Sequence, residues 1–111
     1  MTNPLQLYML NGTYVGSYFN IPYKFTGYSI DLQNTTKYYK DGRWSREDGP
    51  AIIQNNGTKN WLINDELHRI GGPAVESCLG GSYNSYYING EKVTEEQHDL
   101  LYSIMRLKGL L

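Results

Sequence analysis

The feature that most constrains this chain is a connector that occurs twice. Residues 46–52 (REDGPAI) return as residues 69–75 (RIGGPAV), 23 positions later, and the segment between them has the turn and strand signals of a β-hairpin. One such hairpin cannot bury a face by itself, so neighbouring units must stack to be stable. The repeat therefore predicts a mainly β fold in which stacked antiparallel β-hairpins form one sheet.

A second motif marks the end of each unit. Four segments run in the order aromatic, apolar, variable, Asx and Gly, with Asp in place of Gly in one of them. Asn-Gly and Asp-Gly favour positive φ at both central residues of a two-residue turn. The four segments are Tyr8–Gly12, Tyr38–Gly42, Trp61–Asp65 and Tyr86–Gly90.

Strands and connectors follow from these motifs. Between hairpins, Gly-Pro provides a permissive residue and then a fixed φ, which redirects the chain into the next strand. Trp44 and Leu67 occupy the same register, and we expect both to fill the layer between units. The sequence predicts strands at residues 6–10, 17–19, 27–32, 37–40, 51–54, 59–63, 74–78 and 83–88.

The C-terminus changes period from strand to helix. Thr94-Glu95-Glu96-Gln97 matches a capping box, and Lys108 with Gly109 suits a helix end. Apolar residues at helical spacing predict an amphipathic helix that caps the last hairpin; insertion into a partner or dimerisation is the alternative. We expect one domain over residues 1–111, with a degenerate repeat at 1–36, hairpin repeats at 37–93 and the capping helix at 94–109. The predicted face comprises Leu100, Leu101, Ile104, Leu107 and Lys108, with Met105 beside it.

Composition narrows the classes of function. Ten Lys and Arg nearly balance eleven Asp and Glu, so there is no basic field to attract nucleic acid, and we do not expect direct nucleic-acid binding. A single cysteine, Cys78, favours a reducing compartment, and no run of apolar residues is long enough to predict a membrane span. Eleven tyrosines fit a half-buried β-layer or a contact surface for a partner.

Chemistry-bearing residues are few. Arg46 and Arg69 occupy equal repeat positions, and we expect them to bond carbonyls of a neighbouring turn or to pair with carboxylates; binding of a phosphate or carboxylate is the alternative. Cys78 is expected to be a small hydrophobe in a strand, and His98 to be solvated. Two distant histidines do not predict a metal site. We predict no enzyme activity, no metal and no cofactor.

The connector resembles a repeat found in small proteins of tailed phages. There the unit follows the order His-Arg-x-Asp-Gly-Pro-Ala, an Asx-Gly turn, then Trp-Tyr-x-Asn-Gly, loosely similar to MORN repeats; here His68-Arg69 and Gly72-Pro73-Ala74 carry it. Ser45 replaces the histidine in the first copy, and Gly71 replaces the aspartate in the second. The resemblance covers residues 37–96 and implies a phage source and this architecture.

These observations predict a phage accessory protein that binds a host protein in the host cytoplasm and inhibits it by steric occlusion. A CRISPR or other anti-phage defence effector is the expected class of target. A virion or assembly component and an antitoxin-like scaffold module are alternatives, and a homodimer is a further expectation. The residues expected to contact the partner are Trp44, Arg46, Asp48, Asp65, Glu66, His68, Arg69, Tyr86 and Tyr87.

Overall fold

A computed structural model describes residues 3–111, and within that range the chain is mainly β with one α-helix near its end. The predicted fold class is therefore confirmed. The strands are β1 Leu5–Tyr8, β2 Tyr14–Tyr18, β3 Gly27–Ile30, β4 Thr36–Lys40, β5 Arg43–Trp44, β6 Ile52–Ile53, β7 Lys59–Asn60, β8 Leu62–Ile63, β9 Glu66–Leu67, β10 Val75–Glu76, β11 Tyr86–Ile88 and β12 Glu91–Val93; the helix is α1 Glu95–Leu107.

Most strands belong to one antiparallel sheet. Its eight strands follow the order β10-β7-β6-β4-β3-β1-β2, with β5 paired to β4, and two further ribbons are formed by β8 with β9 and by β11 with β12. The predicted strand over residues 59–63 is interrupted at Trp61, whose amide donates to the carbonyl of Ala74 at 2.7 Å in continuation of the β7–β10 pairing. Residues 59–60 therefore belong to the eight-stranded sheet, whereas residues 62–63 belong to the β8–β9 ribbon.

Three hairpins turn in the same way. In each, the residue before the loop accepts from the amide three positions later and donates to the carbonyl four positions later; these residues are Met9, Asp31 and Gln54. Asn11 and Asn56 then bond the amides of Thr13 and Thr58 through their side chains, at 3.0 and 2.9 Å. Asn11-Gly12 therefore corresponds to Asn56-Gly57, and its alignment with the Asx-Gly motif that ends each unit was wrong.

The remaining Asx motifs form tight two-residue turns. Both central residues have positive φ, with values of 51° and 82° at Asp41-Gly42, 48° and 70° at Asn64-Asp65, and 49° and 82° at Asn89-Gly90. Each turn leads into a short return strand, β5, β9 or β12. The sequence interpretation placed residues 43–44 and 66–67 in connectors, which was wrong because the two-residue turn reverses the chain directly into pairing distance.

Repeated backbone hydrogen bonds join each unit to the next. The amides of Gly42, Asp65 and Gly90 donate to the carbonyls of Phe25, Trp44 and Leu67, in each case at 2.8 Å. These three donors hold the same place in their turns; the acceptors Trp44 and Leu67 hold the same place in strands β5 and β9, and Phe25 lies in the loop between β2 and β3. The stack is therefore fixed by main-chain contacts that do not depend on side-chain identity.

A side chain in each connector completes this contact. Ser45 Oγ accepts from the amide of Asn64 at 3.1 Å, and His68 Nδ1 accepts from the amide of Asn89 at 2.9 Å. Serine and histidine thus do the same work at the same repeat position, which explains the replacement of histidine in the first copy. Because Nδ1 is the acceptor, the neutral His68 ring carries its proton on Nε2.

The core is thin and uses small residues. Ala51 and Ala74, which follow Gly-Pro in the two copies, have no exposed surface, and Leu7 at the far end of the sheet is also fully buried. Ala51 packs with Ile52 and Leu62. A layer of this kind is built by close approach of backbones, so stability depends strongly on hydrogen bonds between units.

Helix α1 packs on β11 at the end of the stack. The predicted capping box is present: Thr94 Oγ1 accepts from the Gln97 amide at 3.1 Å, and Gln97 Oε1 accepts from the Thr94 amide at 2.9 Å. His98 lies beneath the Tyr86 ring, with ring centroids 4.8 Å apart, and is 4% exposed. The expectation that His98 is solvated was therefore wrong.

Two further expectations differ from the structure. Cys78 lies in an exposed turn after β10 and not in a strand, because the chain leaves the sheet at Ser77, whose amide donates to Asn84 Oδ1. The helix turns Leu101 and Met105 partly inward beside His98, whereas Leu100, Ile104 and Leu107 of the predicted packing face are exposed. Within residues 3–111 no helix has the length and apolar character needed to span a bilayer.

The shared role of Ser45 and His68 predicts how position 68 responds to substitution. His68→Ala leaves the Asn89 amide without its acceptor and is expected to lower the free energy of unfolding by about 1 kcal/mol. His68→Ser supplies the hydroxyl that the first copy already uses, so it should retain most of that stability. Urea unfolding of both variants tests this, and equal losses would contradict the shared role.

Tyr86 predicts a dependence of stability on alkaline pH. Burial and then the hydrogen bond from Tyr86 Oη to Glu95 Oε1, 3.2 Å long, raise its pKa above the ordinary value of 10.0. The folded state therefore holds this proton more tightly, so the stabilisation is complete below about pH 10 and is lost as pH rises through the raised pKa. Tyr86→Phe keeps the ring over His98 but should make the unfolding free energy fall less steeply above about pH 10.

The comparison is made by urea unfolding across the alkaline range. Tyr23→Phe, at a ring that is 91% exposed, controls for the loss of one phenol hydroxyl. An unchanged slope in Tyr86→Phe would show that this phenol does not couple folding to pH.

Candidate protein-binding surface

An aromatic ladder crosses the N-terminal half of the sheet. Tyr14, Tyr8, Tyr28 and Tyr38 are directly opposed on the adjacent strands β2, β1, β3 and β4. Their successive ring centroids are 5.4, 5.0 and 5.2 Å apart, so each ring packs against the next. The rings are partly exposed along this face, most of all Tyr14 at 54%. The ladder is a preorganised surface with little side-chain entropy left to lose on binding.

Arg46 stacks on the last ring of the ladder. Its guanidinium carbon lies 4.0 Å from the Tyr38 ring centroid, and Nη1 donates to the carbonyl of Pro50 at 3.2 Å. Arg69 repeats this arrangement on Trp61, at 3.7 Å, and donates to the carbonyl of Pro73 at 3.2 Å. Both arginines therefore bond a carbonyl, but it belongs to their own connector and not to the neighbouring turn that the sequence interpretation expected.

Each arginine has a carboxylate partner, but from a different position. Arg46 Nε bonds Asp48 Oδ1 at 3.0 Å, within its own connector. In the second copy Gly71 replaces that aspartate, and Arg69 Nη1 instead bonds Glu76 Oε1 of β10. The same Glu76 oxygen accepts from Trp61 Nε1 at 3.1 Å. The charge on each guanidinium is therefore balanced locally, which disfavours the alternative that these arginines bind a free phosphate.

The glycine before each proline lies directly against the guanidinium of the arginine. An added Cβ would lie 2.7 Å from the guanidinium carbon of Arg46 at Gly49, and 2.9 Å from that of Arg69 at Gly72. Neither glycine is among those with positive φ. The sequence interpretation assigned Gly-Pro to backbone permissiveness, which was wrong because the constraint is the space taken by the guanidinium.

Two open grooves flank these arginines and are related by the repeat. They have volumes of about 490 and about 600 Å³. Six lining positions of the first groove recur 23 residues later in the second, and the Glu47-Asp48 corner borders both. The shared positions are Tyr38, Lys40, Ser45, Arg46, Glu47 and Asp48 in the first groove, and Trp61, Ile63, His68, Arg69, Ile70 and Gly71 in the second.

The two grooves therefore have equivalent lining positions that are occupied by side chains of different chemistry. The first groove presents Lys40, Glu47 and Asp48, and the Lys40 ammonium lies 3.9 Å from the Glu47 carboxylate. The second presents Ile63 and Ile70 at the positions of Lys40 and Glu47. An apolar stripe between arginines and an acidic corner is the composition that protein interfaces favour at their centre and rim.

Four of the nine residues predicted to contact a partner meet in the second groove. These are Arg46, Asp48, His68 and Arg69. Glu66 joins His68 in a smaller neighbouring groove of about 220 Å³. The connector residues singled out in the sequence are thus brought to one side of the stack.

The other four predicted contact residues lie apart from this groove. Asp65 Oδ1 accepts from the Trp44 amide at 2.7 Å. The Trp44 ring is 38% exposed, 5.3 Å from the Lys37 ammonium, so it does not fill the layer between units as expected. The Tyr86 ring packs against His98 of α1, and the Tyr87 carbonyl accepts from the Arg69 amide at 3.2 Å.

Sequence reasoning missed several residues of this surface. Trp61 and Ile70 line the second groove, and Tyr8, Tyr14 and Tyr28 form the ladder. The 23-residue repeat could have identified Trp61, because Trp61 has the same repeat position as Tyr38, just as Arg69 has the same repeat position as Arg46. The ladder depends on strand register, which the turn type sets and which the misassigned Asn11-Gly12 turn obscured.

No match to this chain is found among protein-family models, curated proteins or solved structures. The surface is therefore interpreted from its own geometry. Among residues 3–111 no three His, Cys, Asp or Glu side chains are grouped so that they could hold a metal ion.

The close contact between glycine and guanidinium predicts a large difference between adjacent glycines. Gly72→Ala forces the Arg69 guanidinium off Trp61 or off the Pro73 carbonyl, and it is expected to lower the free energy of unfolding by about 1–3 kcal/mol. Gly71→Ala is the matched control, because nothing lies within 4 Å of its added Cβ. That variant should stay within about 0.5 kcal/mol of the parent.

Thermal or urea unfolding distinguishes the two variants. Equal stability of Gly72→Ala and Gly71→Ala would show that the guanidinium can move without loss, and would contradict its role as the fixed point of the connector.

Proposed function

We propose that this protein works by binding another protein, and that the second groove together with the aromatic ladder forms its contact surface. The observation that carries the proposal is the repeat relation between the two grooves. The fold supports both walls in the same way but places Ile63 and Ile70 in the second groove at the positions that Lys40 and Glu47 hold in the first. Fixed arginine and aromatic side chains beside an apolar stripe are the residues that dominate binding energy at protein interfaces.

The charge around the grooves supports a protein as partner over a nucleic acid. Glu47 and Asp48 project from the corner shared by the two grooves, with side chains 81% and 87% exposed. Both carboxylates would repel a phosphate backbone, and the formal net charge of −1 supplies no long-range attraction. A polypeptide segment can meet the apolar stripe and donate hydrogen bonds to the acidic corner.

The resemblance to tailed-phage repeats supports a host protein as the target. On that basis we propose inhibition by steric occlusion, without catalysis, of a defence effector such as a CRISPR component, in the host cytoplasm. The rigid stack suits this role, because a surface that is already ordered loses little entropy when it covers a partner.

An assembly component is a second candidate, favoured by the open edge of the sheet. Strand β2 is the last strand of the eight-stranded sheet, and its residues are exposed except at Gly16. Tyr14, Val15, Tyr18 and Phe19 leave apolar surface along it. An uncovered edge of this kind can pair with a strand of another chain.

The second groove can be tested with substitutions that the first copy already carries. Ile70→Glu with Gly71→Asp converts the second groove to the chemistry of Glu47-Asp48, at repeat positions where the fold already accommodates both side chains. We expect the parent to retain a host protein in near-stoichiometric amount from a lysate of phage-susceptible bacteria. The double variant should keep its unfolding midpoint and lose about tenfold or more of the affinity for that protein.

Leu32→Ser is the matched control, since Leu32 is 73% exposed in the loop between β3 and β4. It should bind the partner as the parent does. The purified partner must also lose its activity on addition of the parent protein. Undiminished binding by the folded double variant would exclude the second groove, and recovery of particle proteins alone would favour the assembly role.

A further inference from the structure

The second groove carries an apolar stripe and a histidine ring that the first groove lacks. Ile63 and Ile70 form the stripe, and the half-buried ring of His68 lines both this groove and the smaller groove beside it. The equivalent residue of the first groove, Ser45, is only 6% exposed, so its hydroxyl offers little surface to a ligand. The replacement of serine by histidine therefore brings a polar group to the wall of the second groove.

The His68 ring is held in one orientation and one tautomer. Its Nδ1 accepts from the Asn89 amide at 2.9 Å, so the neutral ring carries its proton on Nε2. Within residues 3–111 no hydrogen-bond partner is found for Nε2, and this atom is not among the buried polar atoms that lack one. The Nε2 proton is therefore accessible, and a fixed ring can donate it to an oxygen of a bound molecule.

The most exposed charges that line the second groove are negative. The side chains of Arg46 and Arg69 are only 25% and 23% exposed, because each guanidinium stacks on an aromatic ring and bonds a carboxylate. Glu47 and Asp48 border the same groove with side chains that are 81% and 87% exposed. A ligand in this groove therefore meets carboxylates more readily than guanidinium groups, which favours a cation at that end of the ligand.

We propose that the second groove binds an extended polypeptide segment in which an aliphatic residue lies close in sequence to a lysine or an arginine. The aliphatic side chain packs on Ile63 and Ile70. The cation lies beside Glu47 and Asp48, and His68 Nε2 donates to a main-chain carbonyl of the segment. This inference rests on the proposed protein-binding function and specifies the chemistry of the segment that is bound.

Selection from a phage-displayed library of random peptides, with the full chain immobilised, tests the class of ligand. We expect enrichment of peptides in which Leu, Ile or Val lies beside Lys or Arg. The same selection on the folded double variant Ile70→Glu with Gly71→Asp should not enrich them, because that variant loses the apolar stripe and gains carboxylates. Enrichment of acidic peptides, or of none, by the parent protein would overturn the proposal.

His68→Ser separates the ligand contact from the contact between units. Serine keeps an acceptor for the Asn89 amide, as Ser45 does for Asn64, but it removes the Nε2 donor. The variant should keep the unfolding midpoint of the parent and bind the most enriched peptide about threefold or more weakly, as measured by fluorescence anisotropy of the labelled synthetic peptide. Equal affinity of the parent and the folded variant would overturn the role of His68 as the donor.

Glu47→Lys tests the cation of the ligand. It should weaken binding of the same peptide about tenfold, and the affinity of the parent should fall as salt is raised, because exposed charges are screened. Glu96→Lys is the matched control: it makes the same change in net charge at an exposed carboxylate of α1 that lines neither groove. The control should bind the peptide as the parent does. Equal losses in the two variants would overturn the placement of the cation beside Glu47.

Failure of this inference is distinguishable from failure of the proposed function. If Ile70→Glu with Gly71→Asp abolishes capture of the host protein but Glu47→Lys does not weaken peptide binding, the second groove remains the contact surface and a basic ligand is excluded. If the folded double variant captures the host protein as the parent does, the proposed contact surface itself is excluded.

Discussion

The repeat depends on an arginine held between an aromatic ring and a glycine. Arg46 and Arg69 each stack on a ring of their own unit, bond the proline carbonyl four residues on, and lie against the glycine before that proline. One side chain thus fixes the connector at three points. Arginine suits the position because its planar group can stack and donate at the same time, which an ammonium group cannot do.

Around that fixed arrangement, chemically different residues supply the same hydrogen-bond acceptor in the two copies. Ser45 and His68 both accept the amide of the next turn, and the carboxylate for arginine comes from Asp48 in one copy and from Glu76 in the other. What persists is the position of an acceptor and not the residue that supplies it. The main-chain bonds between units persist without any side chain, which is why the copies can differ so much in sequence and still stack.

The sequence was sufficient for the fold class, the capping box and the equivalence of the arginines, because each depends on local signals or on the register of the repeat. It was insufficient where two turn types share a motif: Asn11-Gly12 and Asn89-Gly90 look alike, yet only the second has positive φ at its Asx residue. It was also insufficient for His98 and the helix faces. Leu100 and Leu101 are both apolar, and only the position of β11 decides which one is covered.

The C-terminal end of the stack is covered by a helix. A short repeat array must end in strands that lack a neighbour, and terminal units therefore need some form of cover. At the C-terminal end, α1 covers β11 through His98 and Leu101. A thirteen-residue helix packed on a thin ribbon by one side leaves its other side in solvent, and here that side is apolar. The helix therefore protects the hairpin on one side and leaves Leu100 and Leu107 exposed on the other.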